Sequence, residues 1–293
     1  MLANWQMLSQ AERDAAYNNN TAVANSAALI ERRNADSAAF RNTYPAGLDV
    51  SYGPEPQQRF DLYPAGSAVA PCLVFIHGGY WQRNRREDFT CYAEGVLARG
   101  WSAALPGHTL APDATLTQIV AEISVAIDWL AVNGPAHGIA EGPIVVSGWS
   151  AGGHLAAMAL DHPRVAAGLA VSGLFDLAPL RDTYLNEKLR LTDSEIWALS
   201  PHRLPVVAKP LAISYGTAEL PALVKDSDDL HSRRRAAGAP GPLVPIPRGR
   251  PFHCAGGATP ARRKTGARAP PRAPDLHPVR EGSKLRFARR GER

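Results

Sequence analysis

The sequence predicts an α/β fold, in which a mostly parallel sheet is covered by helices on both faces and carries a small helical cap. Short apolar runs such as CLVFIHGG and PIVVSGWS end in glycine or serine, which is typical of strands buried on both faces. Between them lie longer stretches with helical spacing, such as LTQIVAEISVAIDWLAVNG, which ends at Gly134. Ligands of such sheets bind beyond the carboxyl ends of the strands, so we expect functional residues directly after the apolar runs.

The elements follow one another in a regular order along the chain. Residues 1–45 are polar and alanine-rich and predict a helical lead-in. Residues 46–247 hold alternating strands and helices, interrupted at about 176–201 by a charged helical segment that we interpret as the cap. The predicted strands are GLDVSYG, RFDLYP, CLVFIHGG, WSAALPG, GPIVVSGWS, VAAGLAVSGLF, KPLAISYGTAEL and GPLVPIP. The predicted helices between them are REDFTCYAEGVLARG, LTQIVAEISVAIDWLAVNG, AGGHLAAMALDH and LVKDSDDLHSRRRAAG.

The composition is that of an ordinary soluble protein, with 45% hydrophobic and 20% charged residues. No apolar run approaches the ~20 residues that span a bilayer, and the first residues lack the pattern of a secretory signal. We therefore expect no membrane contact and a cytoplasmic location. Cys72, Cys91 and Cys254 are far apart and odd in number, which favours reduced thiols over a disulfide framework or a zinc site.

The net charge of +5 is unevenly distributed along the chain. Residues 248–293 contain 13 Lys and Arg against 3 Asp and Glu, which leaves 19 against 24 in the residues before them. The predicted fold is therefore mildly acidic, which argues against nucleic acid as a partner. The segment 248–293 is rich in Arg, Pro, Gly and Ala, and this composition predicts a disordered tail.

The motif that carries chemistry is GWSAGG, Gly148 to Gly153, which matches the pattern G-x-S-x-G. It stands between a predicted strand and a predicted helix, where a sharp turn would expose Ser150 as a nucleophile at a helix N-terminus. Ala151 follows the nucleophile, and its backbone N–H would be one donor to an oxyanion. The alternative is a purely structural turn, which the strand and helix on either side make the weaker interpretation.

A second glycine motif, HGGYW, follows an earlier buried strand, seventy residues or so before the serine. The backbone N–H groups of Gly78, Gly79 and Tyr80 would complete an oxyanion hole, although a plain glycine turn is the alternative. His77 is interpreted as a structural residue and not as the base, because the triad of this arrangement runs serine, acid, histidine along the chain.

These motifs resemble those of the α/β-hydrolase superfamily, and within it the kynurenine formamidase (arylformamidase) branch. The segments DVSYGPEPQQRFDLYP and LAPDA fit the same resemblance, which extends from about residue 45 to residue 247. It implies a serine hydrolase that acts on N-formyl-kynurenine or a similar small aryl amide or ester, with no metal and no organic cofactor. A homodimer is compatible with it.

The resemblance also implies the acid of the triad. Glu219 in ISYGTAELPAL stands where the family carries Asp or Glu after the next-to-last strand, and it would orient the imidazole of the base. The alternatives are Asp226, Asp228 and Asp229, which lie on a predicted helix and are expected to face solvent.

Both motifs contain aromatic side chains. Tyr80, Trp81 and Trp149 would line a pocket for an aromatic substrate, and each could equally pack in the core. For Trp149 the two interpretations are balanced. His154 lies one turn after Ser150 and is expected to be a packed or substrate-side residue and not the base.

The end of the chain departs from the family's pattern. After PLVPIP the family has a short turn, His-Phe and a terminal helix, whereas this chain has RGRPFHC and no helix pattern. We retain His253 as the base. We also hypothesise that an insertion or deletion near Arg250 shifted the reading frame, because moving the codons of residues 252–257 by one base permits Phe-Thr-Val-Leu-Glu-Glu, a helix opening. Sequencing the genomic DNA across this point tests the hypothesis. It is refuted if the other reading frame does not encode a continuation that resembles the family's terminal helix.

Three functions remain open from the sequence. The first is a formamidase, in which Ser150, Glu219 and His253 form the triad. The second is a carboxylesterase of the same fold, because nothing in the sequence fixes amide over ester. The third is a hydrolase scaffold that is catalytically impaired because it lacks a proper base.

Overall fold

The computed structural model describes residues 5–249, which form an eight-stranded sheet in the order β1-β2-β4-β3-β5-β6-β7-β8. The first two pairings, β1 with β2 and β2 with β4, are antiparallel, and all the others are parallel. The predicted fold class is confirmed. The strands are β1 (Val50–Ser51), β2 (Arg59–Tyr63), β3 (Cys72–Ile76), β4 (Ser102–Pro106), β5 (Ile144–Trp149), β6 (Val165–Val171), β7 (Leu211–Gly216) and β8 (Leu243–Ile246).

Helices precede, connect and cover these strands. The α-helices are α1 (Gln10–Ala15), α2 (Asn19–Ala22), α3 (Ser26–Thr43), α4 (Ala93–Leu97), α5 (Leu116–Asn133), α6 (Ala151–Met158), α7 (Asn186–Leu189), α8 (Asp193–Leu199) and α9 (Pro221–Ala236). Short 3₁₀ helices span Trp5–Met7, Arg86–Tyr92, Gly134–His137, Ala159–Asp161 and Ala178–Asp182. The predicted helix REDFTCYAEGVLARG is thus split, since it begins as a 3₁₀ helix and only its second part is α4.

The two faces of the sheet bury separate hydrophobic clusters. Alternate residues of each strand point to opposite faces, as β4 shows: Ala104 packs on one face, whereas Ala103 and Leu105 pack on the other. Helices α5, α6 and α9 contribute to the first cluster, and the 3₁₀ helix 86–92 and α4 contribute to the second. Helix α5 with the turn after it is long and apolar enough to cross a membrane by composition, but Ile119, Ile123 and other residues of it are buried in the core.

The segment predicted as a cap, residues 176–201, contains α7, α8 and the 3₁₀ helix 178–182. The lead-in is tied to it by side chains, because the Trp5 indole donates to Asp182 Oδ2 at 3.0 Å and Asp14 accepts from the Tyr184 N–H at 2.8 Å. The division of the chain into lead-in, hydrolase domain and tail remains a prediction. Most of the predicted tail, from residue 250 onward, lies outside the described residues.

A buried ion network joins the lead-in to the sheet. Asp61 on β2 has no exposed side-chain surface, and its carboxylate lies 3.0 Å from Arg41 Nε on α3 and 3.2 Å from Arg86 Nε. Burial raises the pKa of Asp61, while Arg86 and Arg41 act in the opposite direction. Because Arg86 is itself only 5% exposed, removing the carboxylate would leave a buried cation with weaker compensation.

Replacing Asp61 by asparagine should therefore destabilise the protein by about 3–5 kcal/mol, measured by urea unfolding. The matched control is Asp36→Asn, whose pairing with Arg32 on α3 is exposed and should contribute less than about 1 kcal/mol. Equal losses in the two variants would show that the network around Asp61 does not stabilise the fold more than a surface pair does.

Candidate active site

Ser150 lies in a sharp turn between β5 and α6, with φ 58° and ψ −120°. A non-glycine residue in this region carries backbone strain, which persists only where the surroundings enforce it. The Ser150 N–H donates to the Val171 carbonyl at 2.8 Å, which ties the strained residue to the end of β6. The sequence prediction of a strand, a turn and a helix around this serine is confirmed by the structure.

Close backbone packing explains why glycines surround the serine. A Cβ on Gly148 would lie 2.1 Å from the Gly152 carbonyl oxygen, and one on Gly152 would lie 2.0 Å from the Ile76 carbonyl oxygen. A Cβ on Gly78 would lie 3.1 Å from Ser150 Cβ. The loop that follows β3 therefore touches the nucleophile turn, and no side chain larger than hydrogen fits at these contacts.

The loop at residues 78–81 is also strained, since Tyr80 and Trp81 both have positive φ, at 52° and 57°. The Gly78 carbonyl accepts from Asn84 Nδ2 at 2.9 Å, and the Gly79 carbonyl accepts from the Gln82 N–H at 3.0 Å. In a trans peptide the carbonyl and the next N–H point in opposite directions. These two bonds therefore turn the N–H groups of Gly79 and Tyr80 away from Asn84 and Gln82.

A backbone hydrogen bond also sets the orientation of the Ala151 N–H. The Ser150 carbonyl accepts from the His154 N–H at 3.1 Å, so the Ala151 N–H points out of the helix N-terminus. Within residues 5–249, no hydrogen bond occupies the N–H of Gly79, Tyr80 or Ala151. These three groups can serve as oxyanion donors. The Gly78 N–H was also predicted as a donor, but none of these hydrogen bonds indicates its orientation.

Glu219 follows β7 and is buried, with 7% of its surface exposed. Its Oε1 accepts from the Ser172 hydroxyl at 2.7 Å and from the Gly216 N–H at 3.0 Å. In the sheet, β6 separates β7 from β5, so the acid turn and the nucleophile turn lie about 10 Å apart. One imidazole could bridge this gap. Sequence reasoning missed Ser172, whose hydroxyl has no motif around it.

The expectation that Asp226 faces solvent is wrong. Its carboxylate is 14% exposed and accepts from the N–H groups of Phe175 and Asp176 and from His202 Nε2, the last at 2.8 Å. Burial disfavours the charged imidazole, but the Asp226 carboxylate outweighs this effect and raises the pKa of His202. Asp226 meets His202 because α9 packs against the residues that flank the cap. The sequence pattern did not reveal this packing. Asp228 accepts from the Tyr215 hydroxyl, and Asp229 pairs with Lys225.

The histidines near the site are held by other partners. His77 is buried, stacks on His108 with ring centroids 4.4 Å apart, and has a pKa well below its usual value because of burial. His154 has no exposed surface; its Nε2 lies 2.7 Å from the Leu199 carbonyl oxygen, and burial lowers its pKa to about 4. Among the histidines of residues 5–249, none is hydrogen-bonded to Ser150 or Glu219. His253 lies outside the described residues.

The three aromatic residues of the motifs, Tyr80, Trp81 and Trp149, are buried. The Tyr80 hydroxyl donates to the Tyr17 carbonyl at 2.6 Å, and Trp81 packs edge-on against His154 with centroids 5.0 Å apart. Trp149 packs against Phe89 with centroids 5.9 Å apart. Their role in lining a substrate pocket stays a prediction. In the described part of the chain, no group of three His, Cys, Asp or Glu residues could hold a metal ion.

The chain is similar to several known hydrolases. The BD-FAE family matches residues 60–163. Kynurenine formamidase of Danio rerio is 27% identical over 204 residues, which cover 64% of this chain and 66% of that protein, just under two thirds of its length. Esterase LipC of Mycobacterium tuberculosis is 29% identical over 161 residues, 49% of this chain and 40% of that protein.

Among solved structures, a candidate thioesterase from Silicibacter sp. TM1040 is 31% identical and superposes with a TM-score of 0.74. The match covers 84% of this chain and 94% of that structure. Sheet order, nucleophile turn and sequence similarity all lead to the same assignment. The chain belongs to the α/β-hydrolase superfamily and is similar, within it, to the kynurenine formamidases.

Proposed function

We propose that the protein is a serine hydrolase that cleaves an N-formyl aryl amide such as N-formyl-kynurenine by acyl-enzyme chemistry. The observation that carries this proposal is the position of Ser150. It lies in a strained turn at a helix N-terminus, in contact with the loop that carries the oriented N–H groups of Gly79 and Tyr80. Such an arrangement stabilises a developing oxyanion beside a nucleophile.

In this proposal Ser150 Oγ attacks the formyl carbon, and the base takes the hydroxyl proton. The carbonyl oxygen becomes an oxyanion, which the N–H groups of Gly79, Tyr80 and Ala151 stabilise. The base then gives the proton to the leaving amine, and the C–N bond breaks. Water, activated by the same base, hydrolyses the formyl-enzyme and releases formate. Glu219 orients the base and stabilises the imidazolium.

His253 is the base in this proposal, and the chain path supports it. The Arg248 N–H donates to Thr217 Oγ1 at 2.9 Å, and the Ala218 N–H donates to the Gly249 carbonyl at 2.9 Å. The chain thus reaches residue 249 beside the turn that carries Glu219. His253 is four residues further on, so it can lie no more than about 14 Å from Gly249. His77 and His154, the histidines nearest in sequence to the two site motifs, have other partners, which strengthens this assignment.

A carboxylesterase is the second candidate, since the chain is also similar to esterase LipC. The same nucleophile and oxyanion donors would serve an ester. The formamidase is preferred because the similarity to kynurenine formamidase extends over 64% of this chain, against 49% for esterase LipC.

Comparing two substrates separates the candidates. We expect kcat/KM for N-formyl-kynurenine to exceed that for p-nitrophenyl acetate by at least about 10-fold, which is ~1.4 kcal/mol of transition-state stabilisation. N-acetyl-kynurenine is the matched control, and its extra methyl group should lower kcat/KM if the acyl pocket is built for formyl. Efficient ester turnover without formamide turnover would reverse the assignment in favour of a carboxylesterase.

A further inference from the structure

Ser172 lies at the carboxyl end of β6, between the strands that lead to Ser150 and Glu219. Ser172 is 2% exposed and its φ is 50°, so a buried polar residue is held in a backbone conformation that residues other than glycine rarely adopt. Its N–H donates to the Ser214 carbonyl on β7 at 2.7 Å. The strain is therefore maintained by the sheet itself.

The end of β6 contacts both catalytic turns. The Val171 carbonyl accepts from the N–H of Ser150, and the Ser172 hydroxyl donates to Glu219 Oε1 at 2.7 Å. Two adjacent residues thus connect the backbone of the nucleophile to the side chain of the acid. A hydrogen bond to a carboxylate is charge-assisted and stronger than one between neutral groups.

We infer that Ser172 is a positioning residue for the catalytic acid, an inference that rests on the proposed function. Glutamate has one more rotatable side-chain bond than aspartate and loses more rotamer freedom when it is fixed. Two donors, the Ser172 hydroxyl and the Gly216 N–H, hold Oε1. Holding one oxygen from two directions fixes the plane of the carboxylate and thereby the direction in which it can receive the imidazole.

Replacing Ser172 by alanine tests this role. We expect kcat to fall about 10- to 100-fold and KM to change less than about twofold. This loss of kcat is smaller than the ~10⁴-fold loss that a misoriented base produces. The acid limb of the pH profile of kcat/KM should move to lower pH, because a poorly placed carboxylate stabilises the imidazolium less. Ser172→Cys, which keeps a weak donor and adds no β-branch at this positive φ, should recover part of the rate.

Ser214→Ala is the matched control, since this buried serine on β7 donates to the Val244 carbonyl at 2.9 Å. It should leave kcat and the pH profile unchanged. If the wild type is active and Ser172→Ala keeps the same kcat and pH profile, the inference is overturned but the proposed function is not. If the wild type hydrolyses neither substrate, the proposed function fails. A crystal structure of Ser172→Ala then tests the positioning role separately. An unmoved Glu219 side chain refutes that role, and a rotated one supports it.

Discussion

Ser150→Ala is expected to lower kcat by about 10⁵- to 10⁶-fold and to abolish covalent labelling by a fluorophosphonate. Without the hydroxyl no acyl-enzyme can form, and only binding and the oxyanion donors remain to assist water. Because the nucleophile turn depends on backbone contacts of Ser150 and not on its hydroxyl, the variant should fold normally. Mass spectrometry of the labelled protein and steady-state kinetics give the two measurements.

Ser147→Ala is the matched control for that experiment. Ser147 is a buried serine on the same strand, three residues before the nucleophile, and its variant should label and turn over like the wild type. A wild type that is not modified by the fluorophosphonate would contradict every hydrolase mechanism proposed above. It would favour a catalytically impaired hydrolase scaffold instead.

His253→Ala is expected to lower kcat by a similar factor, on the order of 10⁴- to 10⁶-fold, because nucleophile and base act as one unit. For the same reason the double variant with Ser150→Ala should be no slower than either single variant. Added imidazole should restore part of the activity of His253→Ala, since a small base can enter the space that the side chain leaves.

His277→Ala is the matched control, because His277 is the other histidine beyond residue 249. Its variant should keep activity within about twofold of the wild type, because the proposal assigns the base to His253 and no role to His277. Loss of activity in His277→Ala together with normal activity in His253→Ala would transfer the role of base to His277. Full activity in both variants would exclude a base in this part of the chain.

The fold class followed from local sequence features. Apolar runs that end in glycine predicted the parallel strands, and stretches with helical spacing predicted α5, α6 and α9 at nearly their observed positions. The two-residue strand β1 and the 3₁₀ helix at Arg86–Tyr92 were less accurately predicted. Strand β1 pairs with β2 over two residues, which is less than its sequence pattern suggests. The 3₁₀ helix is bonded to the distant helix α3, where the Ser37 hydroxyl donates to the Asp88 carbonyl. Helical spacing alone does not distinguish a 3₁₀ helix from an α-helix.

The candidate site was predictable where the backbone itself carries the chemistry. Ser150, Gly79, Tyr80 and Ala151 belong to motifs of consecutive residues, so the sequence contains their geometry. Glu219 was assigned by resemblance, and the structure shows two donors on its carboxylate, one of them in a distant segment. Asp226 was misjudged because its partners Phe175 and His202, which flank the cap, are distant from it in sequence.

The sequence by itself determined the order of strands and helices, the strained turn at Ser150 and the glycines that allow close backbone packing around it. These features depend on steric limits between residues that are neighbours in the chain. Only the tertiary structure decided which polar side chains meet: Ser172 with Glu219, His202 with Asp226, and His154 with the Leu199 carbonyl. Their pairing depends on how β6, β7, α9 and the cap pack together, because a buried polar group is bonded by whichever partner the packing brings within reach.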